Sequence, residues 1–122
     1  MVEIIGARGS AAQSSGELRI AWVGEPVRLA VVGEIDVSTH GQFRAALHEL
    51  LGALGDVQLD LTGVPFMDTR SVTLVVHTAQ RLHEEGGRLV VHEPPSSLVR
   101  IFETLWGDDR AWLYISGRRG EP

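Results

Sequence analysis

The residues best suited to chemistry lie in one short run, Val64-Pro65-Phe66-Met67-Asp68-Thr69-Arg70-Ser71. Asp68, Thr69 and Ser71 are all helix-capping types, whose short side-chain oxygens accept from free N–H groups of a first turn. Capping alone is one reading of the run. The other is that Thr69 is a hydroxyl displayed on a helix N-terminus, where free N–H groups and the helix dipole favour negative charge. A kinase acting there would add about −1.5 to −2 charges without unfolding the domain. Beside Asp68, that charge would repel an acidic partner surface. Residue chemistry alone leaves both readings open.

No other constellation competes. The histidines His40, His48, His77, His83 and His92 form neither HExxH nor an i, i+4 pair. Ordinary solvated or half-buried histidine therefore outweighs a metal site. There is no GxSxG elbow and no cysteine nucleophile. The carboxylate pairs Glu84-Glu85 and Asp108-Asp109 fall at expected helix ends or turns, where solvated charge is the default. Gly33-Glu34-Ile35-Asp36 is not GxGxxG, and no GxxxxGK occurs, so the chain is not expected to bind nucleotide by itself. Arg118-Arg119 reads as a solvated basic pair. The expectation is a protein that is not an enzyme and holds no metal or cofactor.

The elements that position the run are legible from periodicity. Val57 to Leu61 alternates as a strand, and Thr62-Gly63-Val64-Pro65 is expected to break it. After the run, Val72, Val75, Val76, Ala79 and Leu82 keep helical spacing until Gly86-Gly87. Upstream, Leu18–Val23 and Val27–Val32 predict a hairpin across Gly24-Glu25-Pro26. Thr39–Leu54 predicts a helix with Phe43, Ala46, Leu47, Leu50, Leu51 and Leu54 on one face. Thr39 and Gln42 have capping-box spacing. Downstream, the unbroken Leu89-Val90-Val91 within Arg88–His92 predicts a strand buried on both faces. Pro94-Pro95 ends it. Ser96 or Ser97 is expected to cap a helix carrying Leu98, Ile101, Phe102 and Leu105 on one side, and Trp112–Ile115 predicts a last strand. Trp22, Trp106 and Trp112 are expected in the core. The order β-β-α-β-α-β-α-β predicts an α/β fold: an N-terminal hairpin, then alternating elements, a mostly parallel mixed sheet and helices packed on it.

Composition narrows the class. With 122 residues, 16 Asp plus Glu against 11 Lys plus Arg, the formal charge is −5. That length suits one domain, expected at residues 17–116 between mobile tails at 1–16 and 117–122. A domain this size buries roughly 65% of its unfolded surface, so its core needs no staple. The absence of cysteine excludes disulfides and points to a reducing, cytoplasmic setting. Acidity argues against coating nucleic acid or anionic membrane, since both need positive charge near phosphate. No run approaches the roughly 18 apolar residues of a membrane span, and no signal peptide is expected.

Three motifs in order carry a resemblance. Gly33-Glu34-Ile35-Asp36, then Leu59-Asp60-Leu61 followed by Phe66-Met67-Asp68-Thr69, then Gly86-Gly87-Arg88-Leu89-Val90 resembles the STAS domain. More narrowly it is similar to the bacterial anti-sigma factor antagonists, over about Leu18 to Ile115. The resemblance implies a STAS-like fold and a partner switch. The unphosphorylated antagonist binds an anti-sigma factor that is also a serine/threonine kinase of the GHKL type, which frees a sigma factor. The kinase then phosphorylates the residue after the motif Asp and ends the complex, and a phosphatase resets it. By that pattern Thr69 is the phosphoacceptor, and Asp36, Ser38, Thr39, Asp68, Thr69, Arg70 and Ser71 form the partner-binding face. The family commonly reads Asp-Ser-Ser-Gly-Leu where this chain has Asp68-Thr69-Arg70-Ser71-Val72. Arg70 could pair with a phosphate on Thr69 or obstruct a cleft built for a small residue. The alternative is a non-switching STAS module that senses a ligand or acts as a scaffold. Monomer and homodimer stay open.

Overall fold

A computed structural model describes residues 18–24, 27–52, 55–107 and 113–117. Its elements are β1 (Leu18–Val23), β2 (Arg28–Gly33), α1 (His40–Leu50), β3 (Asp56–Gly63), α2 (Thr69–Glu84), β4 (Arg88–His92), α3 (Ser96–Trp106) and β5 (Leu113–Ser116). The strands lie side by side in chain order as one five-stranded sheet. β1 is antiparallel to β2, and the other neighbours are parallel. Parallel neighbours need crossovers, and α1, α2 and α3 supply them in turn.

Period-two burial in the strands and helical-period burial in the crossovers meet in one cluster. Leu18, Ile20, Leu29, Val31, Val57, Leu59, Leu61, Leu89, Val91 and Leu113 are the sheet's contribution. They face Phe43, Ala46, Leu47 and Leu50 of α1, Val72, Val75, Val76, Ala79 and Leu82 of α2, and Leu98, Val99 and Phe102 of α3. Each fully buried Leu or Phe contributes about 1.5–3 kcal/mol. The cluster is what holds the loops at the helix starts in place.

β4 is buried on one face, not two. Leu89 and Val91 are buried, Val90 and His92 are half-buried, and Arg88 is exposed. The described helices all join the cluster on the other side, so no described helix covers this face of the sheet. Arg28–Asp60 (2.7 Å) and Arg88–Asp56 (3.2 Å) pair across neighbouring strands there, and Arg88 sits 5.7 Å over the Tyr114 ring. The exposed Arg88–Asp56 pair contributes about 0–1 kcal/mol, while Arg28–Asp60 is part-buried, and both keep the face polar.

Other boundaries moved for local reasons. α1 stops at Leu50, because Leu51 and Gly52 donate to His48 and Glu49 carbonyls in tight closing turns. β3 runs on through Thr62 to Gly63, which pairs with Val32. A Cβ at Gly63 would come within 2.8 Å of Val32 Cγ2, so glycine permits that pairing rather than ending the strand. At the end of α2, Gly86 takes φ +89°, while a Cβ on Gly87 would overlap the Gly55 carbonyl. Leu105 is 55% exposed, off the buried side expected for it, and Ile101 is half-buried. Trp22 and Trp106 pack against the core without entering it. The tails 1–16 and 118–122, Glu25-Pro26, Leu54, Asp108-Asp109 and Trp112 lie outside the described residues. Among the described residues no helix is long and apolar enough to cross a membrane.

Candidate functional site

The loops leading into α1 and α2 come together at one end of the parallel strands. At the start of α1, Asp36 closes a compact turn. Its Oδ1 accepts from Ser38 N (2.9 Å), Ser38 Oγ (2.8 Å) and Thr39 N (3.2 Å). Thr39 Oγ1 donates to the Glu34 carbonyl at 2.7 Å and accepts from Asp36 N at 2.9 Å. The capping box does not form. Thr39 precedes the helix, but its hydroxyl serves the turn behind it. Gln42 Nε2 instead reaches the Leu18 carbonyl of β1 at 3.2 Å.

The start of α2 is built differently. Asp68 takes extended backbone (φ −91°, ψ 175°), and its side chain accepts from Ser71 N at 2.9 Å. That is an ordinary N-cap. Met67 is fully buried, and its N–H donates to Ser97 Oγ at 2.9 Å. Ser97 therefore pins the Asp68 loop from α3 and caps nothing; Pro95 occupies the cap position of α3 with no side-chain bond. Thr69 follows as the first residue of α2 and is exposed, as is Arg70. Among the described residues the Thr69 hydroxyl has no hydrogen-bond partner; only its carbonyl is engaged, by Thr73 Oγ1 at 2.8 Å.

Between the loops lies an open depression of about 240 Å³, lined by Glu34, Ile35, Asp36, Val37, Pro65, Phe66 and Asp68. Its rim carries two exposed apolar side chains, Val37 (87%) and Phe66 (59%). Three carboxylates surround them. Contacts of that mixture suit a protein surface better than a small molecule, which favours enclosed, mainly apolar sites.

The electrostatics follow the hydrogen bonds. The Ser38 hydroxyl holds the Asp36 carboxyl below the usual carboxylate range, with the Thr39 and Ser38 N–H groups adding to it and burial opposing. His40, the first residue of α1, is also lowered from its ordinary value, which for a base favours the neutral form: burial lowers it first, Arg70 and Arg44 lower it further, and Asp68 opposes them. His40 is thus neutral near pH 7.

Of the residues expected on a partner face, Asp36, Ser38, Asp68, Thr69 and Arg70 are exposed around or beside the depression. Thr39 and Ser71 are not on it. They are 1% and 0% exposed: the Thr39 hydroxyl is drawn into the turn, and the Ser71 hydroxyl is buried with no hydrogen-bond partner among the described residues. Sequence reasoning passed over the lining residues Glu34, Ile35, Val37, Pro65 and Phe66 as site residues, and it placed His40 among the ordinary solvated or half-buried histidines. An apolar Val37 between Asp36 and Ser38 was a usable signal, since nothing in a polar turn needs it. Among the described residues no group of three or more His, Asp or Glu could hold a metal ion.

Comparison with known proteins adds to this geometry. Residues 18–109 match the family described as "Mlab, STAS domain". The chain is 27% identical over 77 residues to the anti-sigma-B factor antagonist of Bacillus subtilis (strain 168), covering 63% of this chain and 71% of that one. Among solved structures it is similar to an anti-sigma factor antagonist from Mycobacterium paratuberculosis, with a TM-score of 0.67, 19% identity, and 83% and 88% of the two chains covered. It is also similar to the phosphorylated form of the Bacillus cell fate determinant SpoIIAA, with a TM-score of 0.60, 22% identity, and 81% and 90% covered. At these identities the structural likenesses are likenesses of fold.

Proposed function

The chain belongs to the STAS domain family, and from that premise we propose that it is an anti-sigma factor antagonist switched by phosphorylation of Thr69. In this reading the unmodified chain offers the depression and its rim to an anti-sigma factor that is also a GHKL-type serine/threonine kinase. Binding releases a sigma factor in the cytoplasm. Asp36, Ser38, Asp68, Thr69 and Arg70 make the contacts, and Val37 and Phe66 supply the apolar anchor. Thr39 and Ser71 hold the frame below. The chain is the ligand and substrate of an enzyme and is not one itself; a phosphatase returns it to the binding form.

The single observation that carries this reading is Thr69. Its hydroxyl is exposed, and unpartnered among the described residues, on the first turn of a 16-residue helix, next to a carboxylate that lines the depression. Nothing structural requires that hydroxyl, and a phosphate is accommodated at such a position by the free N–H groups. Once added, about −1.5 to −2 charges beside Asp68 and Asp36 would make the rim strongly anionic. A partner fitted to the neutral hydroxyl would be repelled.

The test uses wild type, Thr69→Ala and Thr69→Glu as baits in lysate from the source organism, with mass spectrometry of the prey and of Thr69. A GHKL-type kinase recovered with wild type and Thr69→Ala but lost with Thr69→Glu is the expected result. Equal recovery by all three baits would move the assignment to a scaffold or sensor domain that has kept the fold without the switch.

A further inference from the structure

His40 is absorbed by neither the fold nor the partner face. The residue is 8% exposed, and among the described residues its Nε2 is buried with no hydrogen-bond partner. Buried polar atoms are almost always paired, so an orphan of this kind asks for a missing group. His40 is the first residue of α1, and α1 packs against α2. The groups that act on it electrostatically are Asp68 and Arg70, the two neighbours of Thr69, and Arg44 one turn along its own helix. Histidine is also the side chain whose charge is most easily moved near neutral pH.

We propose that His40 is the internal partner of a phosphate on Thr69: the ring takes a proton from solvent when the phosphate is present, and its Nε2–H donates to a phosphoryl oxygen beside the Arg70 guanidinium. The proposal rests on Thr69 as the phosphoacceptor. It follows from charge balance at one place. In the unmodified chain two guanidinium groups and burial outweigh Asp68 and keep the ring neutral. A phosphate dianion at residue 69 reverses that balance, because an opposite charge nearby favours the protonated ring. The orphaned Nε2 then gains its acceptor, and the phosphate gains a second cationic donor with fixed geometry. The modified side chain is thereby folded back against the start of α1 instead of standing free. Proton uptake and phosphorylation become linked, and each strengthens the other.

The experiment places phosphothreonine at position 69 during translation, so that no kinase is needed. Histidine ring resonances and the phosphorus resonance are followed against pH in the modified and unmodified full chains. The His40 midpoint is expected to rise by about one pH unit or more on modification. His48, His77, His83 and His92 are expected to stay where they were. The second ionisation of the phosphate is expected at lower pH in the wild-type background than in His40→Gln. An unmoved His40 midpoint, or the same phosphorus midpoint in both backgrounds, would overturn the proposal. The His40 titration in the wild-type background needs no variant, so poor folding of His40→Gln cannot obscure it. Failure of the kinase to modify Thr69 is a separate result, read from the lysate experiment, and would leave this measurement standing.

Discussion

The starts of α1 and α2 flank the same depression and treat their hydroxyls in opposite ways. At α1, Ser38 and Thr39 are both committed: each hydroxyl lies within 2.8 Å of a backbone or carboxylate oxygen of the turn. At α2, the exposed Thr69 hydroxyl is committed to nothing, while the cap comes from Asp68 and the loop is fastened from α3 through Ser97. The difference separates frame from function. A hydroxyl that holds a turn cannot be modified without breaking it. A hydroxyl whose structural duties have been handed to its neighbours can be modified at little cost to the fold. The α1 start is therefore the rigid wall of the site, and the α2 start is its variable face.

The contrast is broken or sharpened first at Thr39. Thr39→Val keeps the shape but leaves the Glu34 carbonyl and the Asp36 N–H without their partner in a part-buried turn, which costs about 1–2 kcal/mol. Urea unfolding should show the lower midpoint. At α2, Asp68→Ala removes one cap bond and costs about 0.5–2 kcal/mol, while Thr69→Ala stays within about 0.5 kcal/mol. If Thr69→Ala destabilises as much as Thr39→Val, the two helix starts do not differ as described and Thr69 belongs to the frame.

The same contrast explains what was legible in the sequence. Periodicity marks contacts made along one element, so the buried faces of α1 and α2 and the alternating strands read directly from Phe43 to Leu50, Val72 to Leu82 and Leu18 to Ile20. Asp68 was equally legible, because its cap bond closes within three residues. Thr39 and Ser97 were misread for the opposite reason. Both are capping types before helices, but one is claimed by the Glu34–Asp36 turn and the other by Met67, 30 residues away. No local rule sees a partner at that distance. Gln42 went to β1 in the same way, across 24 residues. His40 read as an ordinary histidine because its burial and its missing partner arise only when α1 lies against α2. The one-sided burial of β4 was lost on the run Leu89-Val90-Val91, whose apolar composition masks an alternation that Arg88 and His92 continue.

The smallest expected effect probes the wall itself, through Asp36. Its carboxyl is held below the ordinary 3.8 by the Ser38 hydroxyl first, then by the Thr39 and Ser38 N–H groups and the Thr39 hydroxyl. A folded-state value below the unfolded one means that the ionised carboxylate favours the folded chain. That contribution is fully present above the unfolded value, and it disappears as pH falls through the lower, folded one. Ser38→Ala removes the largest of the lowering contacts while leaving the Thr39 bonds in place. The Asp36 midpoint, followed by carboxyl-carbon NMR, should therefore rise toward 3.8 without reaching it, and acid unfolding should begin at a slightly higher pH. Thr69→Ala should leave the Asp36 midpoint where it was, since no bond joins the two helix starts through that hydroxyl. A midpoint that ignores Ser38 but follows Thr69 would reverse the assignment of wall and face, because Asp36 would then be reporting on the α2 start and not on its own turn.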